Sequence, residues 1–401
     1  MGNGNLYIGL MSGTSVDSID AVLVDFSSRS PQLLSTHSSD LANAKLPDQT
    51  SIKAEIQALA TAGENEIHRM NQLDITLGQL FAQATNELLA KVGLDPDKVI
   101  AIGSHGQTIR HYPVSNRPAS NSPSSTNKEV AYSVQVADPN TIAELTGITT
   151  VADFRRRDIV LGGQGAPLVP AFHQAVFKKP GFSRAIVNIG GIANITLLAG
   201  NDSPLLGYDT GPGNGLMDKW IKQHRQLDYD EGGRWASEGI VIEPLLHSLM
   251  DTPYFAEQPP KSTGPELFNT EWLHQHLDAF STSNAVDVQA TLLEFTAQTI
   301  TQALKSHNTI SNSNGIPNEV FFCGGGAFNT VLMQRLETLL HPMLIANTAQ
   351  LGIPPEWVEA TAFAWLAKQT LEGKPGNAPT VTGATEQAIL GAIYPGRNFR
   401  L

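Results

Sequence analysis

A single cysteine, Cys323, in 401 residues excludes an internal disulfide framework and a cysteine-rich zinc site. A reducing compartment is the natural setting for such a chain. Long apolar runs are missing as well. No window approaches 18 uninterrupted apolar residues, so no membrane-spanning helix is expected. Positive charge is scarce: Lys and Arg number 26 against 38 Asp and Glu, a net charge of -12. That balance argues against a nucleic-acid backbone or an anionic membrane as partner, because both demand clustered cations. A phosphorylated ligand remains open to it, since backbone amides can hold phosphate. The start, Met1-Gly2-Asn3-Gly4-Asn5, has no basic region, and the apolar run Leu6 to Met11 is too short for a signal peptide. A cytoplasmic location is the expectation. The HExxH and CxxC metal patterns and the GxSxG hydrolase elbow are absent.

What is present reads as globular: 41% hydrophobic and 16% charged residues. The length suggests two or three domains. Organisation shows as a weak duplication. Residues 6–11 and 20–25 are β-rich runs around a Gly/Ser/Thr turn, and 185–190 and 193–198 are a second pair around Gly190-Gly191. Each pair is followed, about a hundred residues on, by an apolar strand entering a Gly-bearing turn, at 99–106 and 319–326. Two related α/β domains facing a cleft are expected. Helical spacing marks 66–92, stopped by Gly93, together with 288–304 and 357–370; Asp138-Pro139 starts another helix. Helices between strands suggest a mostly parallel sheet. Residues 113–130, rich in Ser, Asn and Pro, read as a mobile surface loop, with a lid as the alternative.

Four polar turns could carry chemistry. Ser12, Gly13, Thr14, Ser15, Val16, Asp17, Ser18, Ile19 and Asp20 form a turn able to nest phosphate oxygens, although a plain hairpin turn is equally compatible. Asp209 is placed at a strand end beside Gly211 and Gly213, where an acid can be catalytic or can simply cap the turn. Gly324, Gly325 and Gly326 could lie flat on a purine or serve tight packing, with Asn329 capping the next helix. His105, Gln107 and Thr108 suit a polyol, although an isolated histidine is more often structural. Arg155, Arg156 and Arg157 form either a solvated face or a source of one carboxylate-binding arginine.

Taken in order, MSGTSVDSID, GSHGQTIRH, VADFRRRD, GGQGAPLVPAFH, NIGGIANIT, GYDTGPGN, KSTGPELFN, CGGGAFN and GIPPEWVEATAFAWLA closely resemble the anhydro-N-acetylmuramic acid kinase family. The resemblance implies an α/β fold of two RNase H-like domains, an actin/hexokinase-like duplication around a nucleotide cleft. The expected domains are 1–153 plus 380–401, and 154–379. It implies the conversion of ATP, water and 1,6-anhydro-N-acetylmuramic acid to N-acetylmuramic acid 6-phosphate and ADP, in recycling of bacterial cell-wall sugars. On this resemblance Asp209 is the general base. Gly13, Thr14, Ser15, Val16, Asp17, Ser18, Ile19 and Asp20 wrap the ATP phosphates, with Gly190 and Gly211 alongside and Gly324, Gly325 and Gly326 near adenosine. His105, Gln107, Thr108, Glu359 and one arginine, with Arg156 favoured, bind the sugar. Mg²⁺ and a homodimer are implied, with no nucleic acid and no membrane. The superfamily's first phosphate motif begins with Asp where this chain has Met11, so no metal ligand is named. The alternatives are another sugar or polyol kinase of the same fold and a non-catalytic nucleotide switch.

Overall fold

Thirteen strands appear among the residues described in the computed structural model, which are 5–13, 15–28, 30–113, 130–200, 203–264, 266–306, 319–397 and 399. In chain order they are β1 (Leu6–Met11), β2 (Ser18–Asp25), β3 (Gln32–Asp40), β4 (Ala101–Ser104), β5 (Gln107–Tyr112), β6 (Tyr132–Val136), β7 (Thr150–Ala152), β8 (Arg184–Ile189), β9 (Ile192–Leu198), β10 (Leu206–Pro212), β11 (Glu319–Cys323), β12 (Leu344–Asn347) and β13 (Ala392–Tyr394). The helices are α1 (Ile52–Leu59), α2 (Glu66–Val92), α3 (Pro139–Thr146), α4 (Arg156–Val160), α5 (Val169–Phe177), α6 (Gly215–Arg225), α7 (Glu243–Met250), α8 (Thr270–Leu277), α9 (Ala285–Ser306), α10 (Thr330–Leu340), α11 (Val358–Leu371) and α12 (Pro379–Thr382). The proposed loop at 113–130 falls almost entirely outside the described residues, as does Thr14.

The chain divides into two units: Met1–Phe172 with Glu359–Leu401, and His173–Val358. The division lies later than 153/154 and earlier than 379/380. Residues 156–165 belong with the first unit because Asp158 on α4 accepts hydrogen bonds from Asn377 and Thr382, both at 2.8 Å. Helix α11 belongs there because it lies on β1 and β4. A Cβ on Gly9 would collide with the Ala360 carbonyl, and one on Gly103 with that of Phe363.

The first unit's sheet has the order β13-β7-β4-β1-β2-β3, and the second's β10-β9-β8-β11-β12. In each, the first three strands form an antiparallel meander, and two later strands add in parallel beside the first. A long helix follows each meander, α2 in one unit and α9 in the other. The expected duplication is therefore real, and β3-β2-β1-β4-β7 answers to β10-β9-β8-β11-β12 as two RNase H-like units. The expectation of a mostly parallel sheet is corrected: both sheets are mixed. The meanders are built from short-turn hairpins, which force antiparallel pairing.

The helix spacing read from sequence defines the cores. On α2, Leu73, Leu77, Phe81, Ala84 and Leu88 are buried, and Gly93 ends the helix in the left-handed conformation at φ 62°. On α3, Asp138 caps with Pro139 at the first position. Helix α9 is buried around most of its circumference, with Phe295, Ala297, Ile300 and Leu304 in the second core. Its buried Glu294 is held by Arg335 through two bonds of 2.6 and 2.7 Å. Among the described residues no helix is long and apolar enough to cross a membrane.

Candidate functional site

In the first unit, β1 and β4 run in parallel and end together, with Leu10 opposite Ser104. The turn after β1 closes through the Val16 N–H on the Gly13 carbonyl at 3.1 Å. Val16 is buried at φ 56°, a left-handed conformation that a β-branched residue adopts only under constraint. Ile19 is also in the core, so these two can offer a ligand only backbone. Asp17 is exposed and paired with Lys53 at 2.7 Å, and Asp20 accepts from Ser18 and Ser38 at 3.0 and 2.7 Å. Ser15 is exposed. Gly13 has nothing within 4 Å of where a Cβ would stand, which leaves room at the turn for a ligand.

At the end of β4, His105 is buried against Phe363. Its Nδ1 lies 2.8 Å from the Gly106 carbonyl and its Nε2 lies 2.8 Å from Arg155 Nη2. The carbonyl needs a donor and the guanidinium needs an acceptor. The ring is therefore the neutral Nδ1–H tautomer. Burial, then the Arg155 charge, holds its pKa well below the usual range. Arg155 also donates from Nη1 to the Gly165 carbonyl at 2.8 Å, and burial lowers its pKa to about 10 against the opposing charges of Glu359 and Asp158. Gly165 in turn donates its N–H to Asp158 at 2.8 Å. Arg156, the arginine favoured from sequence, stands elsewhere: its side chain is 63% exposed and meets Asp153 at 3.4 Å. Helix α4 opens at Arg156, so Arg156 and Arg157 turn outward while Arg155, in the bend before it, turns inward. His105, Arg155 and half-buried Glu359 are thus brought together, with Gln107 and Thr108 on the adjoining β5.

In the second unit, Asp209 lies on β10, which does not end there but runs on to Pro212 through an irregularity between Asp209 and Gly211. The strand continues because Thr210 is skipped in the register and Gly211, at φ 135° against Phe255, resumes pairing with β9 opposite Ala193. Asp209 Oδ2 accepts the Thr263 N–H at 2.9 Å, and the Asp209 carbonyl accepts the Tyr254 hydroxyl at 2.6 Å. Burial raises the carboxyl to about 7. The Thr263 bond opposes that shift and the Glu266 charge adds to it. Lys261 sits 4.5 Å over the Tyr254 ring and donates to the Tyr254 carbonyl at 3.0 Å. Thr263, Tyr254 and Lys261 were not singled out from sequence; KSTGPELFN was the only signal pointing to this segment.

The glycines near Asp209 sort by what surrounds them. Gly213 is forced, since a Cβ there would strike the Gly190 carbonyl. The N–H groups of Gly213 and Asn214 are bonded to Gly191 and Gly190 at 3.0 and 2.8 Å. Gly324, at φ 78°, and Gly326 are packed on Asn188 and Ile189. Gly190 and Gly325 are less crowded: a Cβ on Gly190 would meet the Ile192 carbonyl at 3.5 Å and one on Gly325 the Asn214 amide nitrogen at 3.8 Å, both ordinary contact distances. Asn329 caps α10 as expected, accepting from Leu332.

Two units of one strand order, the first with open Gly13 beside its sheet's strand ends and the second with a buried carboxylate raised toward neutrality, define a duplicated α/β protein of two RNase H-like units. The family model described as anhydro-N-acetylmuramic acid kinase matches residues 5–396. Curated proteins of that name are close relatives. That of Shewanella pealeana is 49% identical over 98% of this chain and 99% of its own length. Those of Shewanella amazonensis and Shewanella oneidensis are 50% identical at the same coverage. The chain belongs to the anhydro-N-acetylmuramic acid kinase family and is a sugar kinase.

Proposed function

We propose that this chain uses ATP and water to open 1,6-anhydro-N-acetylmuramic acid and phosphorylate its O6, giving N-acetylmuramic acid 6-phosphate and ADP. The observation that carries the chemistry is Asp209, a carboxyl raised to about 7 whose Oδ2 is fixed by the Thr263 N–H. A base is most effective when its pKa lies near the working pH. Asp209 takes a proton from water as the water oxygen bonds to C1. The C1–O6 bond breaks, and O6 takes the γ-phosphoryl group of ATP. Phosphorylation replaces the acid that a glycosidase needs to protonate its leaving oxygen, so one carboxylate suffices. Attack from the face opposite the bridge inverts C1.

The assignments follow the family resemblance, supported by geometry where it bears. The turn from Gly13 to Asp20 holds the phosphates, with Gly13 supplying the open approach. Gly190 and Gly325 are assigned to the nucleotide by the resemblance, and neither is crowded by its neighbours. His105, Gln107, Thr108 and Glu359 meet the sugar, and Arg155 replaces Arg156 as its arginine because its guanidinium is aimed by His105 and Gly165. Among the described residues no group of three or more His, Cys, Asp or Glu side chains could hold a metal ion. Mg²⁺ accompanying ATP would supply charge neutralisation at the phosphates, and no residue of this chain is assigned to hold it. Cytoplasmic cell-wall sugar recycling and a homodimer complete the proposal, on the resemblance alone.

The test is the reaction in ¹⁸O water with a coupled ADP assay. The label is expected on C1 of the product sugar and absent from the transferred phosphate. Label in phosphate means simple ATP hydrolysis, and turnover of sugars lacking the anhydro bridge means an ordinary sugar kinase.

A further inference from the structure

Three side-chain oxygens, at the ends of β1 and β4 and the start of β5, are buried without a partner among the described residues: Ser12 Oγ, Ser104 Oγ and Gln107 Oε1. Their residues are 2%, 0% and 2% exposed. A buried polar atom left unbonded has lost its water without a replacement, so three in one neighbourhood weigh against the free protein. They are neighbours by construction. Leu10 pairs with Ser104 across the parallel strands, the His105 N–H bonds the Leu10 carbonyl at 3.0 Å, and Ser12 lies two residues beyond Leu10. Gln107 follows on β5, with its amide nitrogen donating to the Thr108 carbonyl at 3.2 Å. That bond leaves its oxygen as an acceptor in need of a donor. The two hydroxyls can each give and accept. The group is buried but its chain neighbours are less so: Ser12 is followed by Gly13, whose Cβ side is open, and Gln107 by half-buried Thr108.

A ligand group that fits offers one N–H donor and one carbonyl acceptor side by side, as a secondary amide does. We propose that Ser12, Ser104 and Gln107 form the subsite for the acetamido substituent of the sugar, with Gln107 Oε1 accepting its N–H and the serine hydroxyls donating to its carbonyl. This deepens the reading of the chain as an anhydro amino-sugar kinase and rests on it. Ser12 and Ser104 then set specificity and take no part in bond making.

An orphan hydroxyl has a distinctive signature. Removing it should leave the free protein as stable or more so, because nothing in the protein is lost, while substrate recognition suffers. The experiment compares Ser12→Ala, Ser104→Ala and the unchanged chain on two sugars, 1,6-anhydro-N-acetylmuramic acid and the counterpart with hydroxyl in place of acetamido. Each variant is expected to lower kcat/KM for the acetamido sugar by about 3–10-fold. It should change the hydroxyl sugar less than twofold, leave the KM for ATP alone, and keep or raise the melting temperature. Equal losses on both sugars, no loss on either, or a raised KM for ATP would overturn the assignment. A lowered melting temperature overturns it too, since it means the hydroxyl already serves the protein. Should the unchanged chain turn over neither sugar, the activity reading fails by itself. The subsite is then judged by calorimetric binding of the two sugars, and an absent preference for acetamido refutes it.

Discussion

Asp209 shows how a single residue can oppose stability and serve chemistry. Its carboxyl titrates near 7 in the folded chain against 3.8 as its ordinary value. Ionising it therefore costs the folded state stability that is lost as pH rises from about 4 to about 7. Asp209→Asn keeps the acceptor for Thr263 and removes the charge. It is expected to melt higher than the parent at pH 8, with the gap closing toward pH 4. Its kcat should fall by about 10²–10⁴-fold. In the parent, activity should drop as pH falls through about 7, because the protonated acid cannot accept another proton, and the variant's residual activity should lack that limb. Retention of more than half the parent kcat would refute the base. Arg155 makes a second residue-level case. Arg155→Ala should raise the KM for sugar markedly, whereas Arg156→Ala, on an exposed pair with Asp153, should leave both sugar and ATP kinetics within about twofold. Sequence could not choose among three adjacent arginines, because the choice is made by where α4 begins. Asp209 was legible, as a strand acid beside glycines; its partner Thr263, 54 positions away, was not.

Elements were legible where their signal is local. The bounds of α2 follow from its apolar spacing and Gly93, and α3 from Asp138-Pro139. Strand direction was not, because parallel and antiparallel pairing depend on partners that periodicity does not reveal, and so a mixed sheet was read as mostly parallel. The glycines of β1 and β4 also stayed silent in the sequence. Gly9 and Gly103 sit within strand patterns, and only the approach of α11 explains them. This yields a paired prediction. Gly103→Ala drives a Cβ into the Phe363 backbone and should cost about 3 kcal/mol, read as a lower denaturant midpoint. Gly13→Ala meets open space and should stay within about 0.5 kcal/mol in stability, yet raise the KM for ATP. A stability loss at Gly13 with unchanged ATP kinetics would make that turn structural.

For the whole molecule, the duplication was readable because each meander and each later strand left its own apolar signature. The unit boundaries were not, since they depend on contacts such as Asp158 with Asn377 and Thr382, more than two hundred positions apart. The seat of α11 on Gly9 and Gly103 bears on how the chain is made. Those two grooves are synthesised early and the helix that fills them arrives some 350 residues after Gly9. At ribosomal speeds of about 5–20 residues per second, the wait is about 20–70 s. The second unit, continuous from His173 to Val358, is complete in sequence before the first can close. Nascent chains arrested once Val358 has emerged but before the rest of α11 should therefore show the first sheet open to protease and the second protected, and chains long enough to expose Leu371 should protect both. The first unit to begin would be the last to finish, and for that interval its bare glycine-lined sheet face would be the part of the newborn chain most in need of a chaperone.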